Sequence, residues 1–295
     1  MNKINSDKIF NIINYTILSL VLAIFMYPIW FVLVASISDP TFVNTGEVLF
    51  LPKGINLEGY KKILEYSEVL TGYKNTIIYT FVGTCINLAV LIPASFALSR
   101  KELFLRRFWM IFFLITMYFS GGLIPLYLQV KNLNLMDSMW ALILPGAFSV
   151  YNMIICRNFF ESNVSEELFE SAKIDGSTYT RFFFSIVLPL SKSIIAVMVL
   201  FHALAHWNTY LNALYYIQSK DKYPLQLVLK NITAQLELIS TGESLVDSQS
   251  LNESIRLQES VKYSVIVVAS IPVLILYPFV QKHFVKGVMV GSVKG

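Results

Sequence analysis

His202 and His206 stand four residues apart in an apolar stretch, so both would share one face of a helix. That spacing suits a pair of zinc or haem ligands. No glutamate follows His202, so the metalloprotease pattern is absent, and the only other histidine, His283, lies far along the chain. Hydrogen-bonded helix packing is the simpler use of the pair, and no metal is expected here. The sequence also lacks G-x-x-x-x-G-K-[ST], so it cannot by itself cradle ATP phosphates. No intramembrane Asp pair or Ser–His arrangement suggests an enzyme. Cys85 and Cys156 have neither CxxC spacing nor a disulfide framework.

The elements that must position these residues are transmembrane helices. The 295 residues are 55% hydrophobic and 14% charged, with mean hydropathy +0.60. A soluble domain carries about 25% charged residues. Uncharged windows fall at approximately Ile12–Ile37, Asn75–Ser99, Phe108–Gln129, Ser138–Cys156, Ser193–Asn212 and Tyr263–Gln281, each near the length that spans a bilayer. The expected fold is all-α and polytopic: six spans in one membrane domain covering 1–295, with no soluble domain at either end. Prolines inside the spans (Pro28, Pro93, Pro125, Pro145, Pro272 and Pro278) read as bends tolerated in a bundle. The first window is too long for a signal-peptide core and reads as an uncleaved helix.

Orientation follows from the short loops. Arg100, Lys101, Arg106 and Arg107 outweigh Glu102 in one short connection, which places it in the cytoplasm. Both termini and the segment Arg157–Lys192 then face the same side. The outer loops, about 38–74, 130–137 and 213–262, carry acids from Asp39 through Glu259. The net charge of +4 flanks helices and forms no stripe, which argues against nucleic acid.

Between the fourth and fifth windows lies a polar, glycine-broken segment, about 163–189. Ser165 can cap a helix whose first turn holds Glu166 and Glu167. That helix would run through Leu168, Phe169 and Ala172 to about Asp175, where Gly176 permits a sharp stop. Ser177 can cap a second short helix with Phe182 and Ile186 on one face, closed by Leu188-Pro189. The result would be a helix–turn–helix across the membrane face, leaving Glu166, Glu170, Asp175 and Arg181 available to a partner.

This segment resembles the signature loop of ABC-importer permease subunits: Glu-Ala-Ala, three residues, Gly, nine residues, Ile, one residue, Leu-Pro. The chain reads Glu170-Ser171-Ala172, Gly176, Ile186 and Leu188-Pro189 at the same spacings. Ser171 for the first alanine is the one departure. Ala172-Lys173-Ile174-Asp175-Gly176, His206-Trp207-Asn208 with Ala213-Leu214, and the tail Gly287–Gly295 resemble the maltose-type, MalG-like carbohydrate permeases. The resemblance implies a heterodimer with a second homologous permease, two ATPase subunits binding ATP and Mg, and an extracytoplasmic solute-binding protein. It implies that Glu170 pairs with a basic residue of the ATPase, that Gly176 holds the turn, and that the tail reaches toward the ATPase dimer.

Polar groups within the spans are candidates for a solute pathway: Asn87, Tyr118, His202, His206, Asn208 and Asn212, with Trp207. Trp207, Tyr210, Tyr215 and Tyr216 form either an interfacial aromatic belt or a sugar-stacking platform. The run Leu225–Leu238 suggests a short outer helix that could meet a binding protein. An ion-coupled secondary transporter is the alternative, but no intramembrane carboxylate and no evident repeat supports it.

Overall fold

The computed structural model describes residues 2–240 and 255–275. The end of the sixth window, His283, the tail and residues 241–254 lie outside the described residues. In chain order the helices are α1 (Asn2–Ser36), α2 (Pro40–Asn44), α3 (Glu58–Glu65), α4 (Ser67–Ser99), α5 (Arg106–Tyr118), α6 (Leu123–Asn132) and α7 (Met139–Ile143). They continue with α8 (Val150–Asn163), α9 (Glu166–Ile174), α10 (Tyr179–Phe182), α11 (Leu188–Leu190), α12 (Lys192–Trp207), α13 (Leu211–Tyr216) and α14 (Leu225–Ser240). The last is α15 (Ile255–Ile275). Among the described residues there is no strand, and the fold is all-α as expected.

Residues Asp7–Ser36 of α1, with α4 and α15, are each long and apolar enough to cross a membrane. Three further candidates are broken: α5 with α6 at 110°, Met139–Gly146 with α8 at 51°, and Tyr179–Leu190 with α12 at 80°. Each window read from the sequence is thus largely helical over its described residues, and with each bent pair taken as one span they reach the six expected.

Local chemistry accounts for the first two breaks and for the early end of the window at 193–212. The window at 108–129 divides at Ser120-Gly121-Gly122 and not at Pro125. Gly122 has φ +89°, a conformation open to glycine, and its N–H donates to Ser120 Oγ at 3.1 Å. Pro125 falls in the first turn of α6, where a missing N–H costs nothing. In the window at 138–156, a 3₁₀ turn at Leu144–Gly146 carries Pro145, and Ser149 then caps α8 by accepting from Asn152 N. The window at 193–212 ends early, at Trp207, with Asn208 N–H and Nδ2 both bonded to Leu204 O. Pro28 and Pro93 lie inside α1 and α4 without ending them.

The chain divides into two compact units. One comprises residues 2–69 with 229–240 and 255–271. Here α1 exposes nearly its whole apolar run from Ile9 to Leu33, and of its described apolar residues buries only Val34 and Ala35, against Val43 and Val48. That exposed cylinder suits lipid or another apolar partner. Asp39 caps α2 through Thr41 N and pairs with Arg256 at 3.0 Å. Small polar groups hold α1, α3 and α15 together: Ser36 Oγ with Tyr60 OH at 2.7 Å, and Gly59 N–H to Ser260 Oγ at 3.1 Å. The segment expected as an outer loop at 38–74 thus contains α2, α3 and the start of α4.

The other unit comprises residues 70–228 with 272–275. It has two apolar clusters on α4. One joins Leu91 and Phe96 to Phe160, Phe169, Phe182 and Val187; the other joins Tyr79 to Ala141, Leu142, Tyr216 and Leu227. Asn87 lies on α4 between them. At the far end of this unit Asp137 accepts from Ser219 Oγ (2.6 Å), the N–H groups of Gln218 and Ser219, and Lys222 Nζ (2.7 Å). The hydrogen bond from Lys222 is the main cause holding the Asp137 carboxyl well below the usual range, followed by those from Ser219. The apolar run after Leu225 forms α14, as expected.

Candidate functional site

The segment at 163–189 folds as two short helices, with one change of cap. Ser165 Oγ accepts from Leu168 N at 3.3 Å, as expected, and opens α9. The helix ends in a Schellman motif: Ser177 N–H donates to Ala172 O at 2.9 Å and Gly176 N–H to Lys173 O at 3.0 Å. Gly176 has φ +76° and open space where a Cβ would stand, so its requirement is conformational. Because Ser177 is consumed by this turn, Thr178 caps α10 instead, accepting from Arg181 N at 3.3 Å.

A π-helical turn at Phe183–Val187 follows α10. Its wider spacing moves the buried position from Ile186, which is half-buried, to Val187, which is fully buried with Phe182. Pro189 sits exposed within α11 beside half-buried Leu188. The chain turns at Ser191, whose N–H reaches both Val187 O and Leu188 O, so α12 starts beyond the proline.

Aromatic packing sets which face is offered outward. Phe169 stacks on Tyr179 with centroids 4.5 Å apart and meets Phe182 edge-on at 5.1 Å. Phe182 and Phe183 pack on Phe96 of α4. With Phe169, Ala172 and Phe182 buried, Glu170, Ser171, Asp175 and Arg181 are exposed. Ser171 Oγ bonds back to Glu167 O at 2.9 Å. Glu166 is not free as expected: Lys101 Nζ lies 2.8 Å from it and draws its pKa down. Sequence reasoning missed Ile174, 86% exposed one turn beyond Glu170. Its signal was an apolar residue off the Leu168–Phe169–Ala172 face.

The basic loop after α4, which sets the orientation by its charge, also grips this segment. Arg100 donates to Phe160 O at 3.3 Å and Val164 O at 3.0 Å, capping the end of α8. Glu161 receives both Arg106 and Arg157, the latter at 2.6 Å, and both guanidinium groups also reach Leu98 O. Arg100, Lys101, Glu102, Glu166 and Phe169 border a cleft of about 230 Å³.

The pathway candidates do not form one site. Asn87 and His202 meet at 2.7 Å, and Asn152, which sequence reasoning missed, lies 3.3 Å from the other ring nitrogen. A neutral imidazole has one donor and one acceptor nitrogen, and each faces one asparagine side chain. Asn87 Nδ2 also reaches Gly146 O at 3.5 Å, in keeping with a donor role, while Asn152 turns its Nδ2 to the ring's Nε2. With both nitrogens engaged, His202 is committed to packing three helices. His206 is buried against Gly83, where a Cβ would stand 2.4 Å from its Nε2.

Trp207 is buried near Tyr73 at 6.3 Å. Asn208 caps α12, Asn212 is exposed on α13, and Tyr118 is exposed at the α5–α6 break. Tyr216 is fully buried and stacked with Tyr127 at 6.2 Å. An aromatic platform of Trp207, Tyr210, Tyr215 and Tyr216 is therefore not available, since two of its members have no free face.

Similarity to known proteins decides the family. A family model described as binding-protein-dependent transport system inner membrane component matches residues 69–290, a range that contains the whole helix–turn–helix. The chain belongs to this family. The permease is 38% identical to the polygalacturonan/rhamnogalacturonan transport system permease protein YtcP of Bacillus subtilis (strain 168), over 98% of this chain and 99% of that one. It is 36% identical to Protein LplC of the same organism, over 100% and 98% of the two chains. A solved bacterial ABC transporter involved in import of the acidic polysaccharide alginate matches with TM-score 0.79 and 32% identity, covering 95% of this permease and 98% of that chain. The protein is thus a multi-pass membrane permease subunit of an ABC importer, with a role in transport and not catalysis, as its sequence implied.

Proposed function

We propose that this permease forms half of the translocation pathway of an ATP-driven importer of oligosaccharides, and that α9–α10 docks into an ATPase subunit on the cytoplasmic side. One observation carries the docking reading: the two helices bury Phe169, Ala172 and Phe182 inward and leave Glu170, Ile174 and Asp175 outward. Glu170 and Ile174 stand one turn apart on the exposed side of α9, so a carboxylate and an apolar side chain are presented together. Glu170 would pair with a basic residue of the ATPase, and Ile174 would fill an apolar depression beside it. Ser171, Asp175 and Gly176 shape the turn, while Ala172, Ile186, Leu188 and Pro189 join it to the bundle.

The full importer in this reading has a second homologous permease, two ATPase subunits that bind ATP and Mg, and a solute-binding protein outside. Both termini of the permease are cytoplasmic. Closure of the ATPases moves the docking element and turns the cavity from inward- to outward-facing. The names of the relatives support acidic polysaccharide fragments as cargo. Uptake of labelled oligogalacturonides by cells carrying the complete importer tests this, with neutral maltodextrins as competitor. Preference for maltodextrin would overturn the acidic class. Uptake that survives ATP depletion but collapses with an ionophore would favour an ion-coupled transporter.

A further inference from the structure

The docking element reaches the rest of the permease by two routes. One is covalent: the π turn and α11 lead through the 80° bend into α12. The other crosses space, through the three residues that follow α4. Arg100, half-buried, holds Phe160 O in the last turn of α8 and Val164 O just after it, and lies over the Phe96 ring at 5.1 Å. Lys101 pairs with Glu166, the first residue of α9. Glu102 accepts from the hydroxyl of Tyr179, the first residue of α10. Two consecutive side chains thus hold the starts of both docking helices.

We propose that Arg100, Lys101 and Glu102 form a transmission strut, a set of positioning residues that carries movement of the docking element into α4 while the covalent bend carries it into α12. This rests on the docking reading above and adds a second lever to it. Grips at the start of each helix constrain rotation of the pair as well as translation. A lone exposed ion pair would be too weak for the task, but the half-buried guanidinium anchors the same three-residue unit. The two levers also need to stay in step. Helices α4 and α12 are joined by the buried Asn87–His202 hydrogen bond, which unequal movement would break.

The test uses the complete importer in lipid nanodiscs, with a nitroxide on one permease helix at a time. Cys85 is exposed on α4 and Cys156 is buried, so the native chain labels on α4. Val199→Cys in a Cys85→Ser background places the label on α12. Mg-ATP with vanadate supplies the movement. In the parent both labels should respond. Lys101→Glu and, separately, Tyr179→Phe should reduce the Cys85 response about twofold or more while the response at position 199 persists, and adding Glu166→Lys should restore the Lys101→Glu case. Tyr179→Phe keeps the ring that stacks on Phe169, so folding is preserved. An unchanged Cys85 response in both variants overturns the strut. Equal losses at both labels overturn it too, because the loop would then act on docking as a whole. If neither label responds in the parent, the docking reading fails, and the strut with it.

Discussion

Asn87 on α4 donates to Nδ1 of His202 on α12 across 2.7 Å, joining residues 115 positions apart in the chain. Both side chains are buried, and Asn152 of α8 completes the contact. A hydrogen-bonded imidazole therefore ties together three helices of one unit, between its two apolar clusters. One of those helices, α12, is the continuation of the docking element.

Removing Asn87 leaves a buried ring nitrogen without its partner. Asn87→Ala should lower stability by about 1–3 kcal/mol, read as a lower thermal unfolding midpoint in detergent. Tyr118→Ala, at an exposed site, should change it by less than about 0.5 kcal/mol.

Gly83 and Gly176 respond to alanine for different reasons. A methyl at Gly83 would stand 2.4 Å from His206 Nε2, so Gly83→Ala should destabilise by about 1–3 kcal/mol through overpacking. Gly176 has room for a side chain but a left-handed backbone, which costs about 1–2 kcal/mol. That cost falls on the docking turn. Thermal unfolding should detect the first substitution, and capture of the ATPase the second.

The Asp137 clasp predicts an acid-sensitive contribution to stability. Its folded pKa lies below its ordinary value of 3.8, chiefly through the hydrogen bond from Lys222. The stabilisation is therefore fully present above that ordinary value and is lost as pH falls through the lowered folded value. Asp137 has φ +55°, which asparagine tolerates. Asp137→Asn should unfold at a lower temperature than the parent at pH 7, with the gap narrowing below pH 3.8. A gap independent of pH would contradict the clasp.

On the docking face, Glu170→Arg and Ile174→Asp should leave the unfolding midpoint unchanged, since both side chains are exposed. Each should weaken ATPase capture about tenfold or more, the scale of an interface hot spot. Co-purification of the ATPase from cells carrying either variant measures this.

Sequence by itself determined much of the protein, because the signals are local. Stretches without formal charge mark helices in lipid, whatever their neighbours. Ser165 and Gly176 define the ends of α9 from backbone chemistry within one turn, and the spacing from Glu170 to Pro189 carries the family. Tertiary structure decided what depends on residues distant in the chain. The cap moved from Ser177 to Thr178 because the Schellman turn takes Ser177 first. The buried position moved from Ile186 to Val187 because a π turn rotates the chain against Phe96. Asn152 joined His202, and the basic loop became a grip on the docking helices. The last two contacts depend on which helices lie side by side, and no spacing along one segment encodes that.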